Sequence, residues 1–131
     1  MTRLIAALII VVLCFCAYHL FRYWQSFEEE KAQRAAVAAI QPESLPGVPP
    51  QLEESLSLAY SRGPAALRQW LDTHGPLIRD PRKAWIELDY CRDVFRTDPN
   101  EARRVFQAVK ERTPSDSPVW PRVQQMQQTF E

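Results

Sequence analysis

The longest apolar run in the chain lies near its N-terminal end. Residues 4–21 carry no charged side chain and are mostly leucine, isoleucine, valine, alanine and phenylalanine. As a helix rising about 1.5 Å per residue, this run is roughly 27 Å long, enough to cross the hydrocarbon core of a bilayer. The pattern predicts an uncleaved transmembrane helix. The alternative, a cleaved signal peptide, normally has a shorter apolar region followed by a small-residue cleavage site.

A helical stalk and a proline-rich linker are predicted next. Residues 22–40 contain no glycine or proline and are rich in alanine, glutamate and arginine, so the helix is expected to continue beyond the membrane. The apolar far end of this stalk predicts either packing against another surface or a plain helical spacer. Residues 41–50 include four prolines, which cannot continue a helix, and are expected to form an extended linker.

Short amphipathic helices are predicted throughout residues 51–131, and proline recurs where each begins. The proline that starts each helix suits the first turn, because that position needs no amide donor. The clearest start is the capping box at residues 98–101, which reads Asp-Pro-Asn-Glu. No segment alternates polar and apolar residues over a useful length. The predicted fold class is therefore all-α, with an N-terminal transmembrane anchor and helical stalk in residues 1–40, a proline-rich linker in 41–50 and a small helical-hairpin domain in 51–131.

Residues 85–123 resemble the tetratricopeptide repeat family. The residues that match its 34-residue pattern, in chain order, are Trp85, Leu88, Ala102, Phe106 and Pro114. Asp89 and Arg92 depart from the pattern, which has a glycine and a tyrosine there. The resemblance implies a hairpin that binds a protein or peptide on a concave surface, with no chemistry. An unrelated helical bundle is the alternative.

The charge balance argues against nucleic-acid binding. Lysine and arginine number 16, aspartate and glutamate also number 16, and no basic stripe with interleaved aromatic residues occurs. The part after the predicted anchor has one cysteine, Cys91, so a disulfide within it is excluded and a metal cluster is not expected.

Candidate catalytic residues are few, and each has a structural interpretation. His74 is expected to cap a helix C-terminus, and Cys91 is expected to be a buried thiol in an apolar row. Glu87, Asp89 and Asp93 have arginines three or four residues away, which predicts a solvated face with local ion pairs. The sequence therefore predicts no enzyme, no cofactor, no metal and no small-molecule substrate.

The predicted function is a membrane-anchored adaptor or scaffold that binds another protein. A single-pass accessory subunit of a larger membrane complex is the alternative. The candidate partner-binding face is the apolar side of the last helix, either folded back on the domain or completed by another protein: Trp120, Val123, Met126 and Phe130. The positive charges after the apolar run favour a cytoplasmic domain, whereas a signal-anchor favours export. We expect the domain on the extracytoplasmic, periplasmic side.

Overall fold

Six α-helices form the protein in a computed structural model, which describes residues 1–130. They are α1, Thr2–Ala39; α2, Pro50–Arg62; α3, Pro64–His74; α4, Arg82–Val94; α5, Pro99–Arg112; and α6, Trp120–Phe130. Within the described residues there is no strand. The predicted all-α class with a long apolar N-terminal helix is thereby confirmed.

The helix boundaries follow the local signals in the sequence. Proline occupies the first turn of α2, α3 and α5. At the start of α5, Oδ1 of Asp98 accepts a hydrogen bond of 3.1 Å from the amide of Glu101, which is the bond that a capping box supplies. Gly63 separates α2 from α3 with a φ of 107°, a conformation that favours glycine.

Helix α4 is the centre of the domain. Side chains on two faces of this helix are buried, including Trp85, Ile86, Leu88 and Cys91. It packs along α5 in one hairpin, while α2 and α3 form a second hairpin beside it. Helix α6 packs on α5 and along α1, so the last helix connects the domain to the N-terminal one.

Helix α1 runs without a break through the predicted anchor and stalk. Its most apolar 18-residue window has a mean hydropathy of 2.7, and none of that window is buried. Among the described residues it is the one helix long and apolar enough to span a membrane. At its far end, Val37 and Ile40 pack against the buried core of the domain. The stalk end is therefore part of the domain's packing.

The proline-rich segment differs from the extended linker that its composition predicts. It begins with a 3₁₀ turn, Pro42–Ser44, and Leu45 is buried in the core. The carbonyl of Gly47 accepts a hydrogen bond of 2.9 Å from the amide of Arg79, and the carbonyl of Pro46 accepts one of 3.2 Å from the amide of Arg82. Proline removes amide donors but leaves carbonyl acceptors, and the amides of Arg79 and Arg82 supply the donors.

Gly47→Ala should destabilise the protein by about 1–3 kcal/mol, because it combines backbone strain with a clash. Gly47 has a φ of 136°, and a Cβ there would lie 2.1 Å from the carbonyl oxygen of Arg79. Gly75→Ala is the matched control, since Gly75 has a φ of −49° and open space around it. Chemical denaturation of the full chain in detergent measures both. Equal effects at the two positions would show that the segment is not docked.

Candidate partner-binding groove

A cleft of the domain lies where the stalk end meets α4 and α6. Its volume is about 690 Å³, which is within the range of ordinary ligand and peptide sites. One wall comes from residues 37–42, the opposite wall from α6, and the base from α4 and the residues just after it. Because α1 supplies one wall, the groove exists only while the stalk is docked on the domain.

Apolar side chains cover much of the groove. Ile40 and Met126, on opposite walls, are half-buried against the core. Between them the ring of Phe95 meets that of Phe130 edge to face, with centroids 4.9 Å apart. Phe130 in turn stacks on Phe106 at 5.1 Å, which anchors this part of the groove in the buried core.

Two arginines give the rim of the groove its positive charge. The side chain of Arg92 is 63% exposed, and its Nε donates a hydrogen bond of 3.1 Å to Asp93 on the adjacent surface. Arg96 is exposed and forms no ion pair within residues 1–130. Both arginines line the groove, Arg92 from the last turn of α4 and Arg96 from the turn just after it.

A buried polar network lies beneath these arginines. Nη2 of Arg122 donates to Oδ1 of Asp89 at 2.5 Å, and its guanidinium lies 4.1 Å from the ring centroid of Trp85. The hydroxyl of Tyr60 donates to the other oxygen of Asp89 at 2.6 Å. One carboxylate thus connects α2, α4 and α6. Burial raises the pKa of Tyr60, and the charge of Asp89 raises it further, so this hydroxyl stays protonated as a donor.

The predicted solvated acidic face is wrong for Asp89. This residue is buried, and its principal partners come from other helices. Glu87 also pairs across helices, with Arg112 of α5, whereas Asp93 pairs locally with Arg92. Spacing along one helix predicts only the local pairs, because the competing cations are far away in sequence.

His74 and Cys91 have structural positions. Nδ1 of His74 lies 3.1 Å from the carbonyl oxygen of Trp70 in the last turn of α3, where a histidine suits the helix C-terminus. The thiol of Cys91 is fully buried, and its burial raises its pKa to about 12. Across residues 1–130, no cluster of three or more histidine, cysteine, aspartate or glutamate residues could hold a metal ion.

Cys91 should react slowly with thiol reagents in the native protein. Its pKa is raised from 9.0 to about 12, so the reactive thiolate fraction at pH 8 falls roughly a thousandfold, and burial slows the reaction further. Labelling with iodoacetamide, in a chain carrying Cys14→Ser and Cys16→Ser, measures the rate before and after denaturation. Similar rates in both states would mean that Cys91 is accessible.

The same shift in the pKa of Cys91 gives a pH dependence. The pKa of this thiol is higher in the folded chain than in the unfolded chain. The stability that the neutral, buried thiol contributes is therefore fully present below pH 9.0 and is lost progressively as the pH rises towards about 12. The free energy of unfolding should therefore fall above pH 9 in the wild-type chain. Cys91→Ala should show a shallower decline when denaturation is repeated at each pH. Identical pH profiles for the two chains would contradict the assignment.

The predicted partner-binding residues differ in how far they are buried. Val123 and Phe130 are buried in the domain core, which is the folded-back arrangement that the sequence left open. Trp120 and Met126 are half-buried, and Met126 and Phe130 line the groove. The sequence alone does not indicate that Arg96 and the stalk end line the groove, because the residues beside them there are distant in sequence.

Comparison of the chain with protein families, curated proteins and solved structures finds no match.

Proposed function

We propose that the chain is a membrane-anchored protein-binding module whose groove holds a segment of another protein. The supporting observation is the composition of the groove: its lining combines aromatic and aliphatic side chains with exposed arginines. Protein interfaces characteristically combine an apolar centre with a polar rim and are enriched in aromatic residues and arginine. The buried network at the base connects α4 to the wall that α6 supplies.

The docked stalk favours a partner at a set height above the bilayer. Residues 22–39 of α1 are helical and extend roughly 27 Å beyond the apolar run. Because the stalk end packs on the domain, the domain does not swing on a free linker. A module held in this way suits a partner in the same membrane better than one that must be reached over a range of distances.

A second candidate is a single-pass accessory subunit of a membrane complex. The observation that favours it is the full exposure of the membrane-length part of α1, whose side chains have no partner helix within the described chain. Purification in mild detergent separates the two functions. A complex that survives loss of the soluble domain favours the accessory subunit, whereas a complex that requires the groove favours the module.

We propose the extracytoplasmic side for the domain, in line with a signal-anchor. Cysteine-specific labelling of intact cells tests this at an exposed position of the domain, Ser57→Cys. A membrane-impermeant maleimide should label it without lysis. Labelling only after lysis would place the domain in the cytoplasm.

Site-specific photo-crosslinking tests protein binding at the groove. A photoreactive residue is placed at Met126, in the groove, or at Leu58, which is 51% exposed on α2 outside it. The full chain is expressed in its native membrane in both cases. The proposal predicts one discrete heavier adduct from Met126 and none from Leu58. No adduct from Met126, or the same adducts from both positions, would contradict it.

A further inference from the structure

We infer that the groove binds an acidic amphipathic segment, one that presents carboxylates one helical turn apart beside apolar side chains. This inference rests on the proposed function and specifies the partner's chemistry. In this arrangement the carboxylates meet Arg92 and Arg96, and the apolar side chains cover Phe95 and Met126.

The available charge in the groove is positive. Its charged lining residues are Asp89, Arg92, Arg96 and Arg122. Asp89 and Arg122 bind each other at the base and are buried, so they offer little to a ligand. The exposed charge is therefore that of the two rim arginines.

Both rim arginines can change partners at small cost. Arg92, whose side chain is 63% exposed, pairs with Asp93 at the surface and lies 3.8 Å from Asp89, which already binds Arg122; exposed pairs contribute little because water and salt screen them. Arg96 has no ion pair to give up within residues 1–130. Guanidinium groups bind carboxylates through two parallel hydrogen bonds, which adds geometric selectivity to the charge attraction.

The arrangement of the arginines matches a helical ligand. Arg92 lies in the last turn of α4 and Arg96 just beyond its end, after Phe95, whose backbone angles are still helical, so carboxylates one helical turn apart on a partner helix can face both arginines. The half-buried ring of Phe95 lies between them in sequence, and an apolar side chain of the same ligand would cover it. A segment with acidic residues on one edge and apolar residues beside them meets both requirements.

Anionic lipid headgroups are the other source of negative charge near this protein. The stalk wall of the groove, residues 37–42, begins roughly 24 Å beyond the apolar run, whereas the Debye length at physiological salt is about 8 Å. At this wall the attraction to the surface of its own bilayer is therefore largely screened. The observations favour a protein segment.

Peptide binding to the full chain in nanodiscs of zwitterionic lipid tests the inference. The probes are two amphipathic helical peptides with the same leucine pattern, one with glutamates four residues apart and one with lysines in their place. Fluorescence anisotropy should give at least tenfold tighter binding of the glutamate peptide, weakening as salt is raised. Equal binding, or no binding of either peptide at millimolar concentration, would overturn the inference.

Charge reversal locates the binding. Arg92→Glu combined with Arg96→Glu should weaken binding of the glutamate peptide at least tenfold and strengthen binding of the lysine peptide. Arg62→Glu combined with Arg103→Glu makes the same change of net charge at exposed positions outside the groove and should leave both affinities within about twofold. Circular dichroism confirms that each variant is folded. Equal losses in the two double variants would overturn the inference.

Two further results separate the possible failures. If phosphatidylserine vesicles bind to the nanodisc-held chain through Arg92 and Arg96 while the glutamate peptide does not, the ligand is lipid and the inference is wrong. If a crosslinked adduct forms at Met126 but the peptides show no charge preference, the proposed function stands and only the acidic ligand is wrong. Absence of the adduct contradicts the proposed function itself.

Discussion

Phe106→Ala is expected to lower the free energy of unfolding by about 3–5 kcal/mol, the usual cost of emptying an aromatic core site. Phe106 is fully buried on α5, and its ring stacks on Phe130 at 5.1 Å. The substitution removes the contact that holds the end of α6 against α5. Because Phe130 also meets Phe95 in the groove, the loss extends to the proposed binding site.

Denaturation of the full chain, followed by near-ultraviolet circular dichroism, measures this effect. Leu58→Ala is the control, because Leu58 is 51% exposed on α2 and its removal should cost less than about 1 kcal/mol. A loss below about 1 kcal/mol for Phe106→Ala would place this ring outside the core and contradict the packing of α6.

Asp89→Ala is expected to destabilise the protein by a similar amount, about 3–5 kcal/mol, because it leaves a buried cation without its partner. The side chain of Arg122 is only 7% exposed, and Asp89 is the carboxylate that neutralises it. The hydroxyl of Tyr60 also loses its acceptor. The carbonyl of Trp85, 3.3 Å from Nη1 of Arg122, remains but carries no full charge.

Asp93→Ala provides the matched control on the same helix. Asp93 pairs with Arg92 at the surface, where its side chain is 37% exposed, so its loss should cost less than about 1 kcal/mol. The same denaturation experiment compares the two variants. Similar small effects for both would show that the network around Asp89 contributes little to stability.

The helices could be predicted from sequence because their boundaries are set locally. Proline in the first turn, the capping box that begins at Asp98 and the glycine at position 63 act within a few residues of themselves. The core position of α4 was likewise predictable, since two apolar rows on one helix require packing on both sides.

The docked linker and the buried ion pair could not be predicted, for one physical reason. The proline-rich segment is held by amides of Arg79 and Arg82, more than thirty residues away, and Asp89 is held by Arg122, thirty-three residues away. Nothing near either site in sequence indicates these partners. The strongest signals near Asp89 were Arg92 and Arg96, which predicted a surface face. The tetratricopeptide resemblance stays a prediction.

The groove and both proposals depend on the docking of the stalk on α6. Electron–electron double resonance measures that contact directly, with spin labels at Ala36→Cys on α1 and Gln124→Cys on α6, both exposed. The chain carries Cys14→Ser and Cys16→Ser and is held in nanodiscs. We expect one narrow distance distribution. A free proline-rich segment of about ten residues, at roughly 3.1 Å per residue, would let the two labels separate by up to about 30 Å. A broad distribution of that width would contradict the account.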